Sequence, residues 1–195
     1  AASIFEEGIR IPPIKVVRRG ILQEDIIRLV VNNTREPEDR NLDLKVQVAT
    51  NDFGVIQTTK LIEKMGLEAM EVAVEDLLIY TSRRLKKHLL ALKQGSSSFT
   101  TWMDDDGLEG QTLPLKANVK IEDGHLLIDF SGSGPQSRGA FNVMTTGVVA
   151  TVSYAVKALL DPDLPANDGL YSVIQLSMPR GSILNPVYPA AVGAR

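Results

Sequence analysis

Ala117-Asn118-Val119-Lys120-Ile121-Glu122-Asp123-Gly124-His125-Leu126-Leu127-Ile128-Asp129-Phe130 decides the fold class of this chain. Asp123-Gly124 is a pair suited to the two-residue type I′ turn, whose central positions both need positive φ. Such a turn sets Ile121 opposite Leu126, Val119 opposite Ile128 and Ala117 opposite Phe130. Those six side chains share one face, while Asn118, Lys120, His125 and Asp129 share the other. Turn chemistry and alternation agree on a single register, so the stretch predicts a β-hairpin with one buried face.

The hairpin runs into Asp129-Phe130-Ser131-Gly132-Ser133-Gly134-Pro135-Gln136, then on to Gly139 and Asn142. Its glycines and proline exclude a continuous helix or strand. The segment reads as a shaped loop with small polar side chains and backbone N–H groups to offer. Loops held on a rigid scaffold are frequent binding sites. Beyond it, Val143 to Leu160 predicts a helix closed by Asp161-Pro162, and Tyr171 to Met178 predicts a strand. The tail from Pro179 reads as loop, with Pro186 and Pro189.

Upstream of the hairpin the pattern is helical. Residues 4 to 20 hold Gly8, Pro12, Pro13 and Gly20 and read as loop and extended chain. Ile21 to Asn32 predicts a short helix from the spacing of Ile26, Ile27, Val30 and Val31. Pro37 suits the first turn of a second helix that runs to Met65, with Gly66 just past its end. A third, Glu68 to Lys93, carries Met70, Val74, Leu77, Leu78, Leu85, Leu89 and Leu92 as one stripe. Arg83, Arg84, Lys86, Lys87 and Lys93 lie toward its C-terminus, the favourable end of the macrodipole for cations. The two long helices are expected to form an antiparallel hairpin, and Gly95-Ser96-Ser97-Ser98 a loop. The fold class is α+β: an N-terminal helical hairpin, then a mixed sheet containing the β-hairpin, with packed helices. Residues 1–95 are mainly helical and 96–195 mixed.

Composition narrows the function classes. Hydrophobic residues are 44% and charged residues 23% of 195, a globular composition. Net charge is −3, so no basic surplus drives binding to nucleic acid or to an acidic membrane. Zero cysteines exclude disulfides, thiolate metal sites and cysteine nucleophiles, and fit a reducing cytoplasm. The apolar run Gly147 to Leu160 is interrupted by Ser153, Tyr154 and Lys157 and is too short to span a bilayer. The chain opens Ala1-Ala2-Ser3 and stops at Arg195 after an apolar run, so it reads as an excerpt of a longer polypeptide and as part of a larger domain.

Familiar motifs fail on inspection. Gly134 to Gly139 has the spacing that opens a P-loop, but Ala140 and Phe141 stand where Lys and Ser or Thr belong. Gly132 and Gly134 begin a dinucleotide fingerprint, but Ser137 replaces its third glycine. Asp104-Asp105-Asp106-Gly107 suggests a calcium loop, yet Trp102 occupies the position of an oxygen ligand, so a solvated acidic turn is expected. His88 reads as a surface residue of the basic helix end and His125 as a turn residue. No histidine–carboxylate cluster with metal spacing is visible.

Several stretches together resemble the hydantoinase B family. They are Glu7-Gly8-Ile9-Arg10-Ile11-Pro12-Pro13 with Lys15, Arg18-Arg19-Gly20, Asn33 with Pro37, Asp43-Leu44 with Gln47, and Asp104 to Gly107. The Asp129 to Asn142 loop and Pro165-Ala166-Asn167-Asp168-Gly169 follow. Pro179-Arg180-Gly181, Leu184-Asn185-Pro186 and Pro189-Ala190-Ala191-Val192 complete the set. They occur in family order and cover nearly the whole chain, so the chain resembles the central fragment of a B subunit.

That family includes B subunits of N-methylhydantoinases, the C-terminal half of 5-oxoprolinases and the large subunit of acetone carboxylases. The resemblance implies ATP-dependent opening of a small cyclic amide, or carboxylation of a ketone, in a cytoplasmic hetero-oligomer. ATP is expected on a hydantoinase A-type partner. A divalent metal is expected on a His- and Asp-containing segment absent from this chain, so no metal ligand is carried over. Ser131, Gln136 and Asn142 are the implied catalytic candidates, as hydrogen-bond donors and acceptors for a ring amide or developing charge. Glu7, Arg10 and Asn167 are the implied substrate-binding candidates, Arg10 through its charged fork. A non-catalytic assembly module that docks the ATP-handling partner is the reading from a different class.

Overall fold

The computed structural model describes residues 1–106, 108, 110 and 112–193. The chain divides into two compact units, Gly8–Val72 and a larger one made of Ala1–Glu7 with Ala73–Arg195. The change of character near residue 95 lies inside the larger unit.

The smaller unit begins with a two-stranded ribbon, β1 (Val17–Arg18) and β2 (Ile21–Leu22). Arg19 and Gly20, both at positive φ, make its turn. Residues 21 and 22 are therefore strand, and α1 is shorter than its spacing predicts, Glu24–Val31. Its buried residues are Ile27 and Val31. Helix α2, Pro37–Met65, has the bounds that Pro37 and Gly66 predict. It packs with α1.

Helix α3 spans Leu67–Ala91. No residue of α2 is buried, and of the predicted α3 stripe Val74, Leu77 and Leu92 are exposed. Leu85 and Leu89 join Leu126, Ile128, Val156, Leu164, Leu170 and Val173 in the core of the larger unit.

That sheet has the order β3-β4-β5-β6. The hairpin of β4 (Leu113–Glu122) and β5 (His125–Asp129) takes the expected register, Val119↔Ile128 and Ile121↔Leu126. Asp123 and Gly124 both adopt positive φ. Contrary to the loop expected there, Gly95-Ser96-Ser97-Ser98 opens β3, Gly95–Met103, paired with β4 from Gly95↔Ile121 to Met103↔Leu113. An edge strand exposed along both faces has no need of alternation, so its serines gave no strand signal. Helix α4 is Thr145–Leu160. The strand expected over 171–178 shrinks to β6, Ile174–Ser177, because Asp168–Tyr171 forms a helical turn, α5.

Strands β5 and β6 are parallel. A parallel pair requires a crossover, supplied here by the glycine loop, α4 and α5. Helices α3 and α4 contribute to the core on one sheet face, with Ala117, Val119, Ile121, Ile174 and Leu176 packed against it. Among the described residues no helix is long and apolar enough to cross a membrane.

An ion pair ties α3 to the end of α4. Asp161 is 6% exposed and accepts from Arg84 Nε at 2.5 Å and Nη2 at 2.7 Å. His88, expected as a plain surface residue, sets Nε2 3.2 Å from the same carboxylate. The Arg84 guanidinium holds the Asp161 carboxyl below the usual carboxylate range. A lowered folded-state pKa stabilises the fold above the unfolded value of about 3.9 and ceases to do so as pH falls through the folded one. Arg84→Met should therefore begin acid unfolding at a higher pH than the parent, followed by circular dichroism. Coincident acid midpoints would show that the pair contributes nothing.

Candidate functional site

Because β5 and β6 run parallel, they end together, with Asp129 paired to Ser177. The loops that leave them, residues 130–144 and 178–193, therefore start side by side. Loops beyond the carboxyl ends of parallel strands are where open α/β sheets bind ligands. Here the two loops are knitted together. Phe130 N donates to Ser177 O, Gln136 N to Gly181 O, Ile183 N to Gly134 O and Val143 N to Ile183 O.

Asn142 is the central fastener of this arrangement. It is 0% exposed. Its Oδ1 accepts from Ser137 N at 2.7 Å, and Nδ2 donates toward the carbonyls of Ser137, Gly139 and Ala191 at 2.9–3.1 Å. Both amide hydrogens are thus engaged within the protein. Gln136 is held similarly: its Oε1 accepts from Val187 N at 2.7 Å.

The floor under the loop comes from the acidic stretch. Asp106, expected in a solvated turn, is 1% exposed. Its backbone carbonyl accepts from Ser137 Oγ at 3.3 Å. A Cβ added to Gly139 would lie 2.0 Å from that same oxygen. Burial won because this backbone is needed beneath the loop. Gly107 of that stretch lies outside the described residues.

Asp129 and Ser131 form the exposed lip. Asp129 Oδ1 accepts from Ser131 Oγ at 2.7 Å and from Ser131 N at 3.0 Å. Chiefly the Ser131 hydroxyl, then its backbone N–H, Ser177 and the Lys116 charge hold the Asp129 carboxyl below the ordinary range. Beside the lip, an apolar groove of about 360 Å³ lies against α4, lined by Phe99, Leu115, Phe130, Val148, Val152 and Leu184 among others.

The remaining candidates lie elsewhere. Asn167 caps α5, its Oδ1 accepting from Gly169 N and its Nδ2 donating to Thr81 Oγ1, both at 3.0 Å. Gly169 sits so close to α3 that an added Cβ would be 2.2 Å from Leu78 O. Glu7 accepts from Gly193 N through Oε1. Arg10 is exposed and belongs to the smaller unit, beside Ile11 and Pro12. The structure thus brings Ser131, Gln136 and Asn142 into one knitted loop. Sequence reading missed the buried carboxylates Asp106 and Asp161, both of which look like turn residues until their partners are known. Among the described residues no three His, Asp or Glu side chains gather as a chelating group.

The family model described as Hydantoinase B/oxoprolinase matches residues 1–195. A 5-oxoprolinase of Dictyostelium discoideum is 32% identical over 201 residues, covering 97% of this chain and 15% of that protein. The ATP-dependent caprolactamase from Pseudomonas jessenii superposes with a TM-score of 0.87 at 24% identity, over 99% of this chain and 34% of that one. Acetone carboxylase in a nucleotide-free structure gives a TM-score of 0.84 at 19% identity, over 98% and 27%. At those identities the two structures establish a shared fold. The chain spans about a third or less of the length of these relatives. From Glu7 to Val192, the ordered motifs, the knitted loops and the full-length family match agree: the chain belongs to the Hydantoinase B/oxoprolinase family.

Proposed function

We propose that this chain is part of a subunit that opens a small cyclic amide in an ATP-dependent reaction, in the cytoplasm, beside a hydantoinase A-type partner that handles the nucleotide. The family match across residues 1–195 carries this reading. ATP would supply phosphorylation of an otherwise poorly electrophilic amide. A divalent ion, where the complex uses one, would be held by residues outside this chain.

The chain's own contribution is shape and hydrogen bonding. The apolar groove suits the hydrocarbon part of a lactam-type ring. Ser131 spends its hydroxyl hydrogen on Asp129, and its oxygen is an acceptor for a ring N–H. Gln136 and Asn142 act as positioning residues that keep the lip in place. Arg10 orients an anionic group of the partner through its charged fork, Glu7 holds the 178–193 loop through Gly193 N, and Asn167 braces the turn at α5.

The test is turnover by the whole complex. Ser131→Ala should lower kcat/KM for a cyclic amide by about tenfold, the worth of one hydrogen bond of about 1.4 kcal/mol. Its melting temperature should fall only slightly, since the bond it gives up to Asp129 lies at the surface. Undiminished kcat/KM would remove the lip from substrate contact. A second reading, carboxylation of a ketone, is favoured by the likeness to acetone carboxylase. Turnover of a ketone with bicarbonate, and none of cyclic amides, would select it. Should Gln136→Ala weaken subunit association while leaving turnover intact, the chain is an assembly module.

A further inference from the structure

Residues 187–193 are held from two sides. On the inner side, Val187 N donates to Gln136 Oε1 at 2.7 Å, and Ala191 O accepts from Asn142 Nδ2 at 2.9 Å. On the outer side stand residues 3–7, far away in sequence but part of the same compact unit. Ile4 N donates to Pro189 O at 2.9 Å. Glu7 Oε1 accepts from Gly193 N. The Phe5 and Tyr188 rings meet edge to face, with 5.8 Å between centroids. Positions 187 and 191 thus bond to the glycine loop, while 188, 189 and 193 meet residues 3–7.

We propose that residues 3–7 are an outer clasp of the site and that Glu7 is its positioning residue. The clasp fixes the strip 187–193, the strip fixes Gln136 and Asn142, and those two hold the lip. The proposal rests on the reading of Ser131 as the part of the lip that meets substrate. Its physical basis is support. The glycine loop and the 187–193 strip are both irregular, and two loops bonded only to each other can shift as one body. A third segment bonded on the far side removes that freedom. A displacement of about 1 Å at a reacting group is enough to cost a large part of the rate.

The short 3-10 turn Ile4–Glu6 suits this task. Three residues make one turn of such a helix, so groups at positions 4 and 7 come round to the same side. Ile4 N–H and the Glu7 carboxylate therefore reach Pro189 and Gly193 together. Glu7 acts here through an oxygen that accepts a hydrogen bond, and that separates it from a residue that acts through its charge on a ligand.

Hydrogen exchange of the complete subunit tests the clasp without any assay of activity. It is read over residues 130–144, on the far side of the strip. Glu7→Ala should speed exchange there by about fivefold, the effect of losing one hydrogen bond. Gly193→Ala should do the same, because its Cβ would stand 2.9 Å from Glu7 Oε1 and push the carboxylate off. Ile4→Pro deletes the other donor. Proline fits there, since position 4 opens a helical turn and Ser3 before it is extended, at φ −150° and ψ 159°. Ile4→Ala keeps the N–H and should not speed exchange.

In the whole complex, Glu7→Ala should lower kcat for a cyclic amide by about tenfold at unchanged KM. Glu7→Gln keeps an oxygen in place and should return both readouts to within about twofold of the parent. A Glu7→Gln protein as impaired as Glu7→Ala would mean that the charge itself meets substrate or partner, and the clasp would be overturned. Unchanged exchange over 130–144 in Glu7→Ala overturns it too, with the reading of the lip untouched. Faster exchange with unaltered kcat overturns the positioning role and, with it, the placing of the lip at the reacting centre.

Discussion

Asn142→Ala is expected to destabilise the protein by about 3–5 kcal/mol, read as a drop in the denaturant midpoint at unchanged m-value. The side chain is fully buried and makes hydrogen bonds to Ser137 N and to the carbonyls of Ser137, Gly139 and Ala191. Alanine can replace none of them. The Ser137 N–H would be left buried without that acceptor, and an orphaned buried group costs about 1–3 kcal/mol. The carbonyls lose a donor in the same step, and the missing amide leaves a small void. The effect should reach both loops, because Ala191 lies in one and Ser137 in the other. A loss below about 1 kcal/mol would mean that the loops hold together through their backbone bonds alone.

Gly139→Ala is expected to be as severe by a different route. Its methyl group would be placed 2.0 Å from the carbonyl oxygen of Asp106. Overpacking costs about 1–3 kcal/mol when side chains can move aside. Here the obstacle is backbone, so the cost should be at or above the top of that range. The Ser137 bonds to Asp106 O and Gly139 N would be disturbed with it. Thermal denaturation with hydrogen exchange across 130–144 measures both consequences. A stable variant with unchanged exchange would show that the loop can retreat from Asp106 without penalty.

Local chemistry carried the parts of the fold that were legible. Asp123-Gly124 and the alternation around it specify their own register within a dozen residues. Pro37 and Gly66 mark the ends of α2 by their own backbone limits. What was not legible depends on partners far along the chain. Gly95 to Ser98 become strand only because β4 offers a ladder. Leu85 and Leu89 look the same in sequence whether they meet a helix or a sheet. Asp161 reads as a helix stop, and its pairing with Arg84, from α3, shows only in space. The site follows the same division. The glycine loop stands out by composition, and so does its polar content. That Asn142 faces inward, and that the 178–193 loop is its counterpart, requires the parallel pairing of β5 with β6.

Gly169 carries a consequence for how this family can vary. The atom that forbids a side chain there is Leu78 O, a backbone oxygen that every amino acid at position 78 would bring. Most packing conflicts in proteins can be relieved by a second substitution that shrinks the obstructing side chain. This one has no such remedy in the genetic code. A lineage that lost the glycine could recover only by re-laying helix α3 or the turn around α5. Descent would then preserve this residue through geometry alone, even where the reaction itself had changed.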